Sequence, residues 1–478
     1  MENYTVVIIG GGLVGSLLAV TLAKRGWNVE LYELRKGMSH VTSHTSDPRT
    51  QALASGRSIN LALSVRGLEA LKAAGIAQDI IDTLIPMRGR LIHSLNGQLS
   101  RQAYGLFGEC INSVDRKFMN EHLLSSAEAL PNVSLFFEHS VQKCDFDRKR
   151  VVFERKDGTI ATVQGDLIIG TDGAYSKVRS QLMRSIRMDY AQEYIDHGYV
   201  ELNIPPTQED AYAMDPDHLH IWPRHTFMMI ALPNRDCSFT VTLFMPWAKF
   251  DAITDEAALI QFFDETFPDA VALIGKELLI KDYFKNPKGS LISIKCKPYH
   301  YRDRALILGD AAHAMVPFYG QGMNCGFEDV LVLDEILTKH LGPAVSSPTT
   351  EFIQIKAPSP KTMEAALLEY SLTRNPDAEA MCDLALYNYE EMRSSVVQPG
   401  YLIRKRIEGT LHRFFPKSVI PLYTMVSFTR IPYSEVVRRW KRQTRGLELL
   451  RQVGIWILFG YPTFLIARRL LFGSLLSR

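Results

Sequence analysis

The sequence lacks the features that mark several broad classes of protein. Its six cysteines include no Cys-x-x-Cys pair, which argues against a disulfide framework or a zinc site and indicates reduced intracellular thiols. The formal net charge is only +2, so the overall charge does not favour binding to nucleic acid. Hydrophobic residues make up 46% of the 478 residues and charged residues 22%, as in ordinary globular proteins rather than disordered ones. A chain of this length has room for two or three domains.

The strongest pattern lies at the start of the chain, between Tyr4 and Glu33. An apolar, β-branched run is followed at once by Gly-x-Gly-x-x-Gly, and then by a helical segment and a second short strand. This order predicts a dinucleotide site, in which Gly10 permits a tight turn, Gly12 lets the backbone approach a pyrophosphate, and Gly15 allows close helix packing. Glu33 follows Gly10 by 23 residues, where a carboxylate accepts hydrogen bonds from ribose hydroxyls. The alternative is a tight packing turn, and the motif does not distinguish FAD from NAD.

Because the first strand begins by Tyr4, we expect neither a signal peptide nor a transit peptide ahead of it. Two later stretches resemble parts of the same domain. Residues 166–179 predict a buried strand, an Asp-Gly turn at Asp172 and the start of a helix. Residues 304–324 predict a strand that delivers Asp310 to a ribose or ribityl hydroxyl, and then a turn near Gly322 that opens a helix towards an anionic or electron-accepting ligand.

The middle of the chain changes to a period of 2 between about residues 197 and 247, which predicts an antiparallel sheet separate from the nucleotide domain. We assign four residues to the apolar face of that sheet, which is either core or the wall of a ligand pocket, with core the simpler interpretation: Ile221, Met229, Leu243 and Met245. A further strand at 88–93 places Arg88, Arg90 and Ile92 on one face. Whether its arginines are solvated charges or functional groups stays open at this point.

The C-terminal part is predicted to be helical from about Pro376. Tyr387, Asn388 and Met392 share one face of that helix, which we expect to cap an active site. Farther along, residues 453–467 form an uncharged run of 15 residues bounded by Arg451 and by Arg468 and Arg469. This run is shorter than the roughly 20 residues of a full membrane span, and a buried terminal helix is the alternative to an anchor.

Taken together, the three nucleotide-domain stretches resemble the fingerprints of the group A flavoprotein aromatic hydroxylases, whose fold is that of para-hydroxybenzoate hydroxylase. More narrowly, several runs are similar to those of the kynurenine 3-monooxygenases, namely residues 56–64, 85–88, 219–224, 227–233, 317–324, 387–389 and 420–426. The likeness covers nearly the whole chain. It loosens at 41–54 and 343–360, which we interpret as surface loop insertions, and past about residue 447.

The resemblance implies an α/β fold in which a Rossmann-like FAD-binding domain carries an inserted antiparallel β-sheet substrate domain and a helical C-terminal region. We expect the FAD-binding domain at 1–85, 110–190 and 296–342 and the substrate domain at 86–109 and 191–295. The helical region that caps the active site is expected at 361–447, and a membrane-associating tail at 448–478. The family attaches to the mitochondrial outer membrane through its C-terminal region, and this implies an anchor on the cytosolic face.

The resemblance also implies a reaction. NADPH reduces bound FAD and leaves, and O2 then adds at flavin C4a to give a hydroperoxide whose distal oxygen converts L-kynurenine to 3-hydroxykynurenine, a step in tryptophan degradation and de novo NAD synthesis. The cofactor carries this chemistry, and the aniline nitrogen of kynurenine already activates the ring, so no protein base is required. We therefore name no catalytic residue and no metal, and we interpret His313 as a packed, hydrogen-bonded side chain.

The family's contacts carry over to two sets of residues. The substrate set is Arg90, Tyr104, Asn388 and Tyr423, with Arg90 as a bidentate partner for the amino acid carboxylate. The cofactor set combines the motif residues with the family's FAD contacts: Gly10, Gly12, Val14, Gly15, Tyr32, Glu33, Arg35, Ala62, Arg116, Val141, Asp172, Lys177, Asp310, Gly322, Met323 and Asn324. Two rival functions remain, a hydroxylase of another carboxylate-bearing aromatic and a non-catalytic flavin-binding adaptor at a membrane.

Overall fold

The computed structural model describes residues 4–38, 46–47, 60–344 and 357–455. The loop insertions expected at 41–54 and 343–360 lie mostly outside these residues, as does most of the tail, including Trp456 and Tyr461. Among the described residues, no helix is both long and apolar enough to cross a membrane.

A six-stranded sheet forms around the first strand of the chain. Its order from edge to edge is Val133–Phe136, Asn28–Tyr32, Thr5–Ile9, Leu167–Gly170, Ala305–Ile307 and His300–Tyr301. All neighbours are parallel except the last pair, and the strand Thr5–Ile9 pairs with a strand on each side. Because both faces of such a sheet are covered, the central strands are apolar along their whole length, and Val6, Val7 and Ile8 are fully buried.

Helices cover this first sheet, and smaller sheets flank it. The helices are Leu13–Lys24, Val65–Ala73, Gln78–Ile81, Arg116–Glu128, Lys177–Ser185, Asp310–His313 and Gly322–Leu341, with a 3-10 turn at Pro317–Tyr319. One three-stranded sheet contains His139–Asp145, Arg150–Arg155 and Ile160–Gln164, and another contains Leu61–Leu63, Ile111–Val114 and Ile85–Met87. The short strands Gly37–Met38 and Ser46–Asp47 pair with each other.

A second large sheet has seven strands, in the order Gly289–Lys297, Asp189–Ile204, Phe239–Pro246, Phe227–Pro233, His218–Arg224, Gly89–His93 and Leu99–Ala103. The prediction of an antiparallel sheet is correct for every pair but one, because His218–Arg224 and Gly89–His93 run parallel. The helices Trp247–Ala252, Glu256–Thr266, Pro268–Ile274 and Lys276–Lys285 follow its central strands and pack on one face. The boundaries of the two predicted domains stay a prediction.

The two faces of the second sheet have different partners, and one of our face assignments was wrong. Met229, Leu243 and Met245 pack in a core with the helices at 256–285. Ile221 lies on the opposite face, where the sheet meets the C-terminal helices. In the strand His218–Arg224, His220 and Trp222 point to the face that carries Met229, so Ile221 between them points to the opposite face.

The C-terminal helices are Pro360–Arg393, Pro399–Phe414, Leu422–Ser427 and Tyr433–Ile455, with a 3-10 turn at Ser395–Val397. Helix begins at Pro360 and not near Pro376, which lies inside the first of these helices. Tyr387 also differs from its prediction, since it is partly exposed and its ring contacts Trp440, whereas Asn388 and Met392 are buried. The prediction that Arg88 shares a strand face with Arg90 is also wrong. The strand begins at Gly89, and Arg88 is exposed.

Candidate functional site

The three motif glycines meet different demands. Gly10 has φ +109°, and a Cβ there would lie 2.5 Å from the carbonyl oxygen of Thr171. A Cβ at Gly15 would lie 2.0 Å from the carbonyl oxygen of Gly10. Backbone packing therefore excludes a side chain at both Gly10 and Gly15. A Cβ at Gly12 would meet nothing within 4 Å and would project into a cavity that Gly12 lines. This is the position that a bound pyrophosphate requires to be free of a side chain.

Glu33 is a buried carboxylate beside this loop. It accepts hydrogen bonds from the Gly11 N–H at 2.7 Å and from Arg35 Nε at 2.7 Å. Burial by itself would raise the pKa of Glu33, but the hydrogen bonds and charge of Arg35, with the Gly11 N–H, hold that pKa below its usual value. The carboxylate therefore stays ionised and keeps lone pairs for ribose hydroxyls.

A single cavity of about 850 Å³ is lined by most of the residues predicted from the sequence. This volume is within the range of cofactor and ligand sites. It brings together eighteen of the twenty predicted residues: Gly10, Gly12, Val14, Tyr32, Glu33, Arg35, Ala62, Arg90, Tyr104, Arg116, Val141, Asp172, Lys177, Asp310, Gly322, Met323, Asn388 and Tyr423. The N-termini of the helices Leu13–Lys24 and Gly322–Leu341 both border it, so unpaired N–H groups and the positive ends of two helix dipoles face the cavity.

The two other predicted residues, Gly15 and Asn324, do not line the cavity. Gly15 lies beneath the glycine loop, where it packs on Gly10. The Asn324 amide is fully buried and donates to the Ala62 and Gly320 carbonyls at 2.7 and 2.8 Å, while its oxygen accepts from the Ser64 N–H at 2.8 Å. This side chain fixes the strand at Ala62 against the helix N-terminus and so shapes the cavity wall.

Some lining residues also organise the local backbone. The Asp172 carboxylate accepts from the backbone N–H groups of Lys177 and Val178 at 2.7 and 3.1 Å, at the start of the helix Lys177–Ser185. Burial raises the pKa of Asp172 in spite of these bonds. The Lys177 ammonium donates to the Val141 carbonyl at 3.1 Å, which ties the strand His139–Asp145 to that helix. The Tyr32 ring stacks between Phe136 and Phe153 at centroid distances of 4.7 and 4.2 Å.

Another part of the cavity is aromatic and contains one buried cation. Arg90 is 3% exposed, its Nη1 donates to Glu391 Oε1 at 3.0 Å, and its carbon Cζ lies 4.7 Å from the centre of the Tyr423 ring. Burial opposes the charge of Arg90, but Glu391 outweighs it and raises the pKa of Arg90. Arg90 Nε is buried and has no hydrogen-bond partner among the described residues, so the chain leaves this donor of the guanidinium unsatisfied.

Neutral polar groups surround this cation. The ring of Tyr423 stacks with that of Tyr104 at a centroid distance of 5.0 Å and with that of Tyr319 at 5.5 Å. Burial raises the pKa of Tyr104 and of Tyr319 well above the usual value, so both stay protonated. Asn388 Nδ2 donates to the Phe318 carbonyl at 2.7 Å. Apolar side chains that also line the cavity include Leu219, Ile230, Phe244 and Met392.

Several of these residues were not predicted from the sequence. Glu391 is one of them. It follows Asn388 by three positions on one helix, and this helical spacing would have been enough to place it beside the predicted contact. Tyr401 OH donates to Glu391 Oε1 at 2.8 Å and extends the chain of contacts to the next helix. Tyr319 lies in a run that already carried the family resemblance. Leu219 and Ile230 also lie in runs that carried the resemblance, whereas no signal in the sequence indicated that Phe244 faces the cavity.

His313 does not line the cavity. It is buried, and its Nε2 lies 2.5 Å from Asp329 Oδ2. Together with Cys325 these groups lie within 4.8 Å of one another, as metal ligands do. The Arg374 guanidinium is 2.8 Å from Asp329, however, so the place of a cation is already taken. The cluster is an internal ion-pair network.

Comparison with known proteins gives the same fold. Residues 3–349 match the family model described as an FAD binding domain. Curated relatives named kynurenine 3-monooxygenase are 45% identical in Sus scrofa (94% of this chain, 89% of the relative), 46% in Anopheles gambiae (92% and 85%) and 43% in Candida albicans (96% and 95%).

Solved structures extend the comparison at lower identity. A tetrameric 2-methyl-3-hydroxypyridine-5-carboxylic acid oxygenase matches with a TM-score of 0.62 and 19% identity over 84% of this chain and 96% of that one. The p-nitrophenol 4-monooxygenase PnpA of Pseudomonas putida matches with a TM-score of 0.61 and 20% identity over 86% and 94%. The predicted fold, with its FAD-binding domain and helical C-terminal region, is therefore confirmed.

Proposed function

Because this chain belongs to the kynurenine 3-monooxygenases, a family of FAD-dependent flavoprotein monooxygenases, we propose that it hydroxylates L-kynurenine to 3-hydroxykynurenine. NADPH and O2 are the proposed co-substrates, and the proposed setting is tryptophan degradation and de novo NAD synthesis. The observation that carries the proposal is the shared cavity, in which the glycine loop and the Arg90 pocket are parts of one space. An aromatic amino acid and a flavin would meet there without crossing solvent.

The residues present fit FAD. The open position at Gly12 and the two helix N-termini suit the pyrophosphate, Glu33 suits the adenosine ribose, and Asp310 suits the ribityl chain. When bound, FAD supplies the redox chemistry: it accepts two electrons from NADPH and activates O2 for transfer of one oxygen atom. The chain's own residues bind, orient and shield the reactants.

Kynurenine carries a carboxylate, an ammonium group and an aniline ring. The free Nε edge of Arg90 is the proposed partner of the carboxylate, while Glu391 remains on Nη1 and fixes the guanidinium plane. Tyr104, Tyr423 and Asn388 are the proposed neutral hydrogen-bond partners. The aniline nitrogen activates the ring at the carbon next to it, so the pocket has to position the ring and not to deprotonate it.

The apolar wall supports the same function. Leu219, Ile230, Phe244 and Met392 line the part of the cavity where the ring would lie, and they keep water from the reacting oxygen. A ring held among apolar side chains is fixed by shape, while the charged end is fixed by Arg90. This combination favours an aromatic amino acid over an uncharged aromatic.

We also propose that the protein is attached to the cytosolic face of the mitochondrial outer membrane by its C-terminal tail. The support is the uncharged run at 453–467 between arginines, together with the family resemblance. A run of this length would seat in a bilayer by local thinning or by lying partly in the interface.

The deciding experiment uses the purified FAD-loaded protein with NADPH and air. L-kynurenine should accelerate NADPH oxidation and yield a product with one added oxygen at the carbon next to the amino group, identified by mass spectrometry and NMR. A phenol carboxylate such as 4-hydroxybenzoate serves as the matched comparison. Hydroxylation of that compound in preference to kynurenine would show a different substrate class. Kynurenine-independent NADPH oxidation with no hydroxylated product would contradict the proposal and favour a flavin-binding adaptor.

A further inference from the structure

The strand that carries Arg90 ends at His93, which does not line the cavity and belongs to a separate chain of hydrogen-bonded side chains. His93 is 4% exposed, and its Nδ1 lies 2.7 Å from Asp269 Oδ2. His93 Nε2 lies 2.9 Å from Nδ1 of His220, which is also buried. His220 Nε2 in turn lies 2.8 Å from the backbone carbonyl oxygen of Asp215. Every ring nitrogen of the two histidines therefore has a partner.

The directions of these hydrogen bonds indicate where the protons are. A backbone carbonyl only accepts, so His220 Nε2 carries a hydrogen and Nδ1 of the neutral ring carries none. His220 Nδ1 therefore accepts, and His93 Nε2 donates to it. On its other side His93 faces the carboxylate of Asp269, and an ionised carboxylate only accepts. A neutral His93 would meet two acceptors with a single N–H group, whereas an imidazolium satisfies both.

Two other positions for this proton are less favourable. On His220 the proton would lie away from the carboxylate, and burial lowers the pKa of His220 to about 4. On Asp269 it would leave a neutral acid beside a neutral imidazole, although imidazole has the higher ordinary pKa, about 6.5 against about 3.9. Burial by itself would raise the pKa of Asp269, but hydrogen bonds from His93 and from the Trp222 indole hold it below its usual value.

The surroundings of His93 suit a positive charge. Its ring stacks on the indole of Trp222 at a centroid distance of 4.0 Å with 26° between the planes, and the face of an indole attracts a cation. The same indole donates from Nε1 to Asp269 Oδ2 at 2.8 Å. The Asp269 side chain is 28% exposed, so water also stabilises its charge. Trp222 thus contacts both the cation and its counter-ion.

Other charged groups near the two histidines have partners of their own. The Asp215 carboxylate lies 3.1 Å from His218 and 3.2 Å from Arg101. The neighbouring cation, Arg224, donates from Nη1 to the His93 carbonyl at 3.1 Å. Its Nε donates to the carbonyl of Thr266, one turn of chain before the helix that carries Asp269. Asp269 is therefore the carboxylate that balances the His93 ring.

This chain of contacts holds the strand Gly89–His93 in place. The strand runs parallel to His218–Arg224, so no hairpin joins the two, and its other neighbour, Leu99–Ala103, is a mostly exposed edge strand. His93 bridges the parallel pair through His220 and reaches the next layer through Asp269. The side chain of residue 90 leaves the opposite face of the same short strand, so a shift of the strand moves it as well.

We propose that His93 is a doubly protonated positioning residue, whose charge, balanced by Asp269, fixes the strand that presents Arg90 to the substrate. The inference rests on the proposed role of Arg90 in binding the substrate carboxylate. His93 itself contacts neither the cavity nor the proposed ligands. It acts through the strand, by keeping the guanidinium aligned with the anion that it binds.

The first test measures the charge directly, by NMR of the full-length, FAD-loaded protein with isotope-labelled histidine. The spectra distinguish an imidazolium from a neutral ring. At about pH 8, where a free imidazole is mostly neutral, we expect an imidazolium signal that disappears in His93→Gln. His139 is the internal comparison, because its Nδ1 donates to the Phe137 carbonyl at 2.6 Å and its Nε2 accepts from Arg155 at 3.2 Å, which makes it neutral. A neutral ring at position 93 would overturn the proposal.

The second test asks whether this charge positions Arg90. His93→Gln and Asp269→Asn should each weaken kynurenine binding by roughly five- to tenfold, with normal flavin content, because the guanidinium remains but is misaligned. Titration of the flavin absorbance measures the change. His340→Gln is the matched control, since His340 Nε2 lies 2.8 Å from Glu369 Oε2 in a partly exposed pair that does not line the cavity. It should bind kynurenine as the parent does.

The two variants test the same charge in different ways. Asp269→Asn keeps an oxygen for the Trp222 indole and removes only the counter-charge, so it decides the question if His93→Gln does not yield flavin-loaded protein. Parental kynurenine affinity in flavin-loaded variants would refute the positioning role and leave His93 as a purely structural cation. A parent protein that does not bind kynurenine would contradict the proposed function instead, and the NMR experiment would still decide the charge of His93.

Discussion

The guanidinium of Arg90 contacts the carboxylate of Glu391 and lies near the rings of Tyr104 and Tyr423. These contacts determine which of its N–H donors is left for a ligand. Glu391 accepts from Nη1, Cζ lies 6.0 and 4.7 Å from the centres of the Tyr104 and Tyr423 rings, and Nε has no partner among the described residues. Nε is therefore the donor that we propose for the substrate carboxylate. The charge of Arg88, two residues earlier, is exposed to water and is not part of this arrangement.

The first prediction concerns this residue. Arg90→Met should remove a charge-assisted pair worth ~1.5–3 kcal/mol and weaken kynurenine binding by about 10- to 150-fold, while the flavin content stays normal. Titration of the flavin absorbance with kynurenine measures the change. Arg88→Met is the matched control and should bind kynurenine as the parent does. Equal affinities of the two variants would mean that Arg90 has no role in substrate binding.

The second prediction concerns the glycine loop. The structure shows that Gly12 leaves space in the cavity, whereas Gly15 is required for packing within the loop. Gly12→Val should fold and yet lose FAD, because its side chain projects into the space proposed for the pyrophosphate. Purified protein should be colourless, with the far-UV circular dichroism of the parent.

The matched control for that experiment is Gly15→Ala. Its Cβ would lie 2.0 Å from the Gly10 carbonyl oxygen, so we expect loss of folded protein and not only of cofactor. A Gly12→Val protein that retains a stoichiometric flavin spectrum would contradict the site. A Gly15→Ala protein as stable as the parent would show that the loop can move to accept a side chain.

At the scale of elements, a buried ion network joins the cavity to the C-terminal helices. Arg66 is fully buried, donates to Glu328 at 2.7 and 2.9 Å and also donates to the Val426 carbonyl at 3.0 Å. Arg374 on the helix Pro360–Arg393 donates to Glu328 at 3.2 Å. The helix Gly322–Leu341, whose N-terminus borders the cavity, is thereby fixed to the segment that follows Tyr423.

The third prediction follows from this network. Glu328→Gln should lower the free energy of unfolding by ~3–5 kcal/mol, because it leaves the fully buried Arg66 guanidinium without its charge partner, whereas Arg374 keeps its contact with Asp329 at 2.8 Å. Urea denaturation of the FAD-loaded protein measures the loss. Glu335→Gln is the matched control on the same helix, since Glu335 pairs with Arg430 at 2.9 Å with both side chains exposed, and its cost should be about 0–1 kcal/mol. Similar losses in both variants would mean that burial does not strengthen the network.

Features that depend on local sequence were predicted, whereas contacts between distant parts of the chain were not. The strands and glycines at the start of the chain were predicted because each local feature agrees with one fold, and most residues carried over from the family resemblance line the cavity. The residue pattern placed the start of the helix Pro360–Arg393 near Pro376, because a proline inside a helix resembles a helix boundary, whereas the expected helical region from 361 lies next to the observed start at Pro360. The contact between Arg66 and Glu328 spans 262 positions, and no local pattern encodes a pairing of that kind. The face of Ile221 was misassigned for the same reason, since alternation sorts residues within one strand but not between strands.

At the scale of the whole molecule, the cavity is built from segments throughout the chain, from the glycine loop to Tyr423, and it therefore depends on the complete assembly of sheets and helices. The uncharged run at 453–467, the proposed membrane anchor, lies in a different part of the sequence. The residues proposed for substrate binding and those proposed for membrane attachment are thus different. This arrangement lets the two be separated by experiment.

The last prediction uses that separation. A chain truncated after Ile455 keeps the helix Tyr433–Ile455 and the stacking of Tyr104, Tyr423 and Tyr319, but it loses most of the uncharged run. We expect full-length protein in the membrane fraction at high salt and the truncated chain in the soluble fraction. Fractionation at high salt is the measurement, with flavin content as the control for folding. Full-length protein that is soluble at high salt would show that the tail is not an anchor.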